Sequence, residues 1–134
     1  MKKLILKFYK LLNTLNIIIN SLQNRELESI PILFLNGAIS GSNAGPKVKV
    51  ARLKRLFKTS RFKYNIFYCL SNCIYSSSYT IEKYVKFKMP IIYNQNGIFH
   101  EVWYKGDVSS ENRKMEFYLK NSDYVFYQSK FCKR

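Results

Sequence analysis

The stretch from Ile30 to Phe57, IPILFLNGAISGSNAGPKVKVARLKRLF, limits what this chain can fold into more than any other. Ile30 to Leu35 is a continuous apolar run, the form expected of a strand buried on both faces of a parallel sheet. Asn36-Gly37 breaks the run, and Asn36 to Gly45 then holds three glycines, two serines and two asparagines. Such residues supply unusual backbone angles and local hydrogen bonds, so this segment is a loop. Pro46 suits the first turn of a helix, where its missing N–H costs nothing. Beyond it Val50, Leu53, Leu56 and Phe57 share one face, while Lys47, Arg52, Lys54, Arg55 and Lys58 take the other. Strand, glycine-rich loop and helix in that order bring backbone N–H groups and a positive helix end to one point, where an anionic or hydroxyl-rich ligand could sit. No Gly-Lys-Ser/Thr follows the loop, and its glycine spacing does not match the dinucleotide fingerprint, so neither common phosphate-binding signature applies.

The pattern then repeats. Tyr64 to Leu70 (YNIFYCL) reads as a second strand, and Ser76, Ser77 and Ser78 can cap a helix carrying Ile81, Tyr84, Val85 and Phe87 that ends before Pro90. Pro90 to Tyr93 is a third strand, running directly into the polar turn Asn94-Gln95-Asn96-Gly97. After an aromatic loop, Ser109 and Ser110 can cap a helix with Met115, Tyr118 and Leu119 on its inner face. Asp123 to Gln128 is a fourth strand, and Lys130 to Arg134 reads as the first turn of another helix. Alternating strands and helices predict an α/β fold, a Rossmann-like doubly wound and mainly parallel sheet over residues 30–134, whose ligand site lies beyond the carboxyl ends of the strands. A length of 134 residues suits a single domain of this kind.

Residues 1–29 are expected to form a basic amphipathic helix and a polar linker. Leu4, Phe8, Leu11, Leu15, Ile18, Ile19 and Leu22 fall at helical spacing, and Lys2, Lys3, Lys7 and Lys10 occupy the first half. The lysines leave too short an apolar run to span a bilayer, and no clear cleavage site follows, so a helix packed on the domain is expected. An anionic membrane surface is the alternative. The formal net charge of +15 suggests an anionic partner, whether lipid, phosphate-bearing substrate or nucleic acid, although a genome rich in lysine codons would give the same excess.

Little here has the spacing of catalytic or metal chemistry. Cys69, Cys73 and Cys132 lack zinc-ligand or redox-pair spacing and are assigned to structure, with reduced thiols and a cytoplasmic location as the default. No metal is expected. No Ser-His-Asp arrangement, nucleophile elbow or pair of site carboxylates can be found. His100, the sole histidine, is the one candidate for proton transfer at neutral pH, with packing or hydrogen bonding as its more ordinary role. Trp103 and Tyr104 could stack on a sugar ring or seal a core edge.

Three segments together resemble the family 4 glycosyltransferases of the GT-B fold. They are the strand with NGAISGSNAGP and its following helix, then PIIYNQNG, then SDYVFYQSKFCKR. The resemblance covers about the last hundred residues, and it implies the N-terminal, acceptor-binding domain of a nucleotide-sugar-dependent glycosyltransferase, in cell-surface glycan synthesis at the inner face of the cell membrane. It places Gly41, Ser42, Asn43 and Gly45, the turn residues Asn94, Asn96 and Gly97, and Ser129 at the acceptor side of the transfer centre. Where the family often has histidine before the turn glycine, this chain has Asn96, and His100 is the candidate replacement. The family's donor-binding second domain has no counterpart in the sequence. The chain is therefore expected to be a fragment, a truncated product or one subunit of a split enzyme, inactive alone, with no cofactor of its own. Its expected partners are a glycan or lipid-linked acceptor and a donor domain holding the nucleotide sugar. A non-catalytic module binding nucleic acid or another polyanion is the alternative.

Overall fold

A computed structural model describes residues 2–22, 30–36, 41–42, 45–71, 73–77 and 79–129. The linker after residue 22, much of the glycine-rich loop including Asn43, and the turn expected at 130–134 lie outside them. Nine elements run in the order α1 (Lys2–Leu22), β1 (Ile32–Phe34), α2 (Gly45–Leu56), β2 (Lys58–Thr59), β3 (Ile66–Leu70), α3 (Tyr79–Lys88), β4 (Ile91–Gln95), α4 (Val108–Asn121) and β5 (Tyr124–Tyr127). The five strands form one parallel sheet in the spatial order β2-β1-β3-β4-β5. The fold is thus α/β and Rossmann-like.

Side chains alternate across this sheet, as the two-residue period of a strand requires. Ile32, Phe34, Phe67, Cys69, Ile91 and Tyr93 point to one face and form a core with Ile17 of α1, Ile81 and Val85 of α3, and Tyr118 of α4. Rings carry much of this packing: Phe34 stacks on Tyr64 at 4.7 Å and Tyr93 on Tyr118 at 6.0 Å. Leu33, Leu35, Tyr68 and Leu70 point to the other face and pack on Val50 and Leu53 of α2. The register pairs Ile92 with Tyr124 and Asn94 with Phe126, so Tyr124 and Phe126 of β5 belong to the α2 face; at 65% and 55% exposure, they lie beyond its cover.

The strand starts are held by side chains that extend the ladder. Asn65 accepts from the Ile32 N–H at 2.8 Å and donates to the Ile30 carbonyl at 3.0 Å. Asp123 accepts from the Ile91 N–H at 2.8 Å. Each sits just ahead of a strand and satisfies a neighbouring strand's first free donor, which would otherwise be orphaned at a half-buried edge.

Four expectations are corrected. α2 stops at Leu56, and Lys58, expected on the helix's basic back, instead begins the two-residue strand β2. Ser76, one of three serines expected to cap α3, is instead buried, and its hydroxyl donates to the Asn36 side chain, while Ser78, directly ahead of α3, lies outside the described residues. The cap of α4 is Asp107, whose carboxylate accepts from the Ser110 N–H at 2.9 Å, while Ser109 and Ser110 fall inside the helix. Finally, α1 docks on the domain with its polar side. Asn13, Ile17, Asn20 and Ser21 are buried, whereas Leu4, Phe8, Leu11, Leu15, Ile19 and Leu22 are exposed. Its docked face is held by hydrogen bonds, from Asn13 to the Tyr75 carbonyl at 3.1 Å and between Thr14 and Ser77 at 2.7 Å, in place of a broad apolar seam.

The cap assignment can be measured. Asp107→Ala should lower unfolding stability by about 1 kcal/mol, whereas Ser109→Ala should leave it nearly unchanged, as read by urea denaturation. Equal losses from both variants would return the cap to the serine.

Candidate functional site

In a sheet of order 2-1-3-4-5, the chain leaves β1 in one direction for β2 and later returns to the other side at β3. Right-handed crossovers then put α2 on one face and α3 and α4 on the other. β1 and β3 flank the switch point of this strand order, and beyond the carboxyl ends of the strands there lies the crevice in which such folds bind ligands.

The backbone at this edge is unusual in one consistent way. Asn36, just beyond β1, has φ 49°, Ser71 and Cys73, just beyond β3, have φ 51° and 50°, and Gly97, just beyond β4, has φ 117°. Each lies in the left-handed region, where non-glycine residues are uncommon and short polar side chains are favoured among them. Turns in that conformation follow β1, β3 and β4 within three residues of the strand ends. At Gly97 the φ calls for glycine; at Gly45 nothing lies within 4 Å of an added Cβ, so that position opens onto free space at the start of α2.

The structure brings together several of the residues expected at the site. Asn94 and Asn96 converge on Lys49 of α2, whose ammonium donates to the Asn94 Oδ1 at 2.5 Å and to the Asn96 Oδ1 at 2.8 Å. Gln95 folds back to donate to the Gly97 carbonyl at 3.0 Å, and its Oε1 is buried without a hydrogen bond among the described residues. The Asn94 carbonyl accepts from the Ser71 N–H at 3.1 Å, tying the ends of β3 and β4 together. Tyr68 is buried beside the Asn94 side chain, and that burial pushes its phenol pKa up. Gly41 donates to the Lys47 carbonyl at 3.3 Å, which folds the returning loop onto the first turn of α2, and Ser42 beside it is exposed. Ser129 is exposed just past β5.

Lys49 was not anticipated from the sequence. It lies beside Val50 and four residues ahead of Leu53, the α2 residues that pack on the sheet, where a lysine is out of pattern, while Leu56, expected on the same face, is 75% exposed. That misfit was its available signal. Partial burial lowers its pKa, and the two ion pairs among the described residues, Lys86–Asp123 and Lys120–Glu116, leave it without a carboxylate partner. The crevice is therefore polar and positive, with amide groups around one cation.

His100 stands apart in contact terms. It is exposed, and its Nδ1 accepts from the Val102 N–H at 3.2 Å within its own turn, which sets the neutral ring's proton on Nε2. Phe99, Trp103 and Tyr104 pack as a cluster, with Phe99 4.6 Å from Tyr104, and Asn112 of α4 clamps the loop through both polar atoms of the Phe99 backbone. Gly106 lies under the Tyr104 ring so closely that an added Cβ would sit 2.5 Å from the phenol oxygen.

Beneath the crevice, on the α3 and α4 side, lies a buried polar cluster. Lys114 donates to the carbonyls of Cys73 and Ser76 at 2.9 and 3.2 Å, pinning the turn after β3. Glu82 of α3 and Tyr118 of α4 adjoin within the core, and Cys69 and Cys73 are buried with them. Burial raises the Glu82 pKa, lowers that of Lys114 and pushes the Cys69 thiol well up, so these groups are arranged to hold shape rather than to react. Among the described residues no three His, Cys, Asp or Glu side chains are grouped to hold a metal ion.

Comparison of the chain with family models, with curated proteins and with solved structures gives no match.

The buried carboxyl makes a pH prediction. A raised folded-state pKa means that Glu82's contribution is full below its ordinary value of 4.5 and is lost as pH rises through the folded value. Glu82→Gln should match the parent in stability near pH 4 and gain on it progressively as pH rises above the ordinary value of 4.5, measured by denaturant unfolding. A variant that instead loses ground as pH rises would show that Lys114 holds the carboxylate in its charged form.

Proposed function

We propose that this chain is the acceptor-binding domain of a nucleotide-sugar-dependent glycosyltransferase of the GT-B type, resembling family 4. The observation that carries the proposal is the acid-poor crevice at the β1/β3 switch point, where Lys49 bridges Asn94 and Asn96. Amides, peptide groups and one ammonium suit a ligand rich in hydroxyls, each of which both donates and accepts. The open space at Gly45 allows such a ligand to approach the first turn of α2 closely. In this reading the crevice is one wall of an interdomain cleft. The acceptor glycan, free or lipid-linked, rests on Asn94, Asn96, Gly97 and the Gly41 to Gly45 segment, and Ser129 borders it. The nucleotide sugar is held by a donor domain across the cleft. His100, with its proton on Nε2, is the group available for proton transfer where the family's histidine is replaced by Asn96. The chain's own residues position the acceptor; the donor domain supplies the activated sugar.

A second reading rests on the exposed Arg52, Lys54 and Arg55 along the back of α2. These would hold nucleic acid through its phosphates, with log affinity falling by about 0.9 for each phosphate neutralised per decade of salt.

A glycan array followed by saturation-transfer NMR separates the two. The glycosyltransferase reading expects oligosaccharide binding that is lost in Gly45→Val and weakened about tenfold or more in Lys49→Met, with helix content unchanged. Supplying a donor-binding domain in trans should then give sugar transfer by the parent and none by Gly45→Val. Sugar binding indifferent to Gly45→Val would remove the crevice from the proposal, and steeply salt-dependent binding to RNA or DNA with none to glycans would favour the polyanion module.

A further inference from the structure

The sides of α1 are reversed relative to a helix built only to complete a core. Asn13, Ile17, Asn20 and Ser21 follow one another at helical spacing on the docked side, which is polar but for Ile17. Diametrically opposite, Leu4, Phe8, Leu11, Leu15, Ile19 and Leu22 form an outward stripe from one end of the helix to the other, each between 48% and 72% exposed. The stripe widens where Phe62, 74% exposed in the loop between β2 and β3, closes a shallow groove with Leu12, Leu15 and Ile19. A continuous apolar face of this size on a surface helix marks an interaction site.

Charge identifies what covers it. α1 contains no acidic residue, and its first ten residues include Lys2, Lys3, Lys7 and Lys10. Lys7 borders the groove formed by Leu4, Ile5, Phe8 and Leu11. A second copy laid against this face would set one chain of formal charge +15 against another, whereas an anionic surface would be attracted. No helix among the described residues is long and apolar enough to cross a membrane. An amphipathic helix with a lysine border and a leucine-rich face lies in the plane of a lipid interface, its apolar side among the acyl chains and its ammonium groups at the phosphates.

We propose that α1 docks the molecule on the surface of an anionic lipid bilayer, through the Leu4 to Leu22 stripe with the exposed Lys3 and Lys7 of its first half. This rests on the exposed face alone and does not depend on the glycan reading. The direction of α1 adds an orientation. Tyr9 packs edge-on against Tyr75 at 5.8 Å and Asn13 bonds the Tyr75 carbonyl, both in the connection after β3. Asn20 bonds the Tyr64 carbonyl just ahead of β3. The helix thus runs antiparallel to the strands, and its lysine-rich half lies at the carboxyl edge of the sheet. On a bilayer, that edge and its crevice sit beside the lipid headgroups.

The test is co-sedimentation of the full chain with vesicles of phosphatidylcholine alone and of phosphatidylcholine mixed with phosphatidylglycerol. The chain should bind the mixed vesicles and only weakly the neutral ones, with affinity falling as salt rises. Leu11→Gln with Leu15→Gln changes no charge and keeps good helix formers at both positions; it should leave circular dichroism and thermal midpoint unchanged and reduce partition into the mixed vesicles by about tenfold or more. Binding by the double variant equal to the parent's would show that net charge alone is at work and would overturn the proposal. So would failure of the parent to bind mixed vesicles at low salt, or a dimer in sedimentation equilibrium that the same double variant dissociates.

Discussion

A parallel pair of strands can be joined only by a crossover, and on a right-twisted sheet that crossover has one hand. Most of this molecule's arrangement depends on that constraint. Because β2 lies on one side of β1 and β3 on the other, α2 must cover one face while α3 and α4 cover the opposite face. The switch point between β1 and β3, and the crevice that goes with it in such folds, is therefore a geometric result of the strand order before any side chain is considered. The side chains then give it its character. Lys49 enters from the α2 face, Asn94 and Asn96 meet it from the end of β4, and Asn36, Ser71 and Gly97 turn the chain in left-handed conformations just past the strands.

The support beneath is polar where a simpler core would be apolar. Asn36 and Ser76 bond each other across the ends of β1 and the segment after β3, and Lys114 reaches from α4 to fix the same segment through two carbonyls. Buried polar groups specify one arrangement more strictly than apolar packing, since each must find its partner or remain unsatisfied at a cost of about 1–3 kcal/mol. The Asn36 amide nitrogen and one Glu82 oxygen are left without partners among the described residues. The rim of the crevice is thus held in shape at some expense in stability, an arrangement typical of sites where geometry matters more than robustness.

The sequence displayed the fold better than it displayed the site. Ile66–Leu70 and the Ile91 to Tyr93 part of β4 are continuous apolar runs, so strands buried on both faces could be read directly. β2 could not, because two residues of the type Lys-Thr carry no period and pair only by virtue of lying beside β1. Asn96 and Gly97 were legible as a turn at the correct edge, whereas Asn94 and Gln95, expected in that turn, are the last paired residues of β4. Lys49 was passed over because a lysine in a basic helix is ordinarily solvated, and only its position relative to Val50 and Leu53 set it apart. The facing of α1 was likewise hidden: periodicity shows that a helix has two sides, and it cannot show which side meets the protein. That was decided by Asn13, Asn20 and Thr14, whose partners are backbone and hydroxyl groups far away in the chain.

The reversed sides of α1 divide its positions into two classes under mutation. Substituting Ile17 or Asn13 removes contacts that the folded state needs, and the damage is visible in the purified protein as lost stability. The outward leucines make few such contacts, so replacing them leaves the folded protein nearly as it was. A survey of variants by thermal shift or protease resistance would therefore grade the leucine stripe as dispensable, although it is a continuous apolar surface from one end of α1 to the other. Selection on those positions acts through what the protein touches, and two scans of the same helix, one for folding and one for location, would return nearly complementary maps.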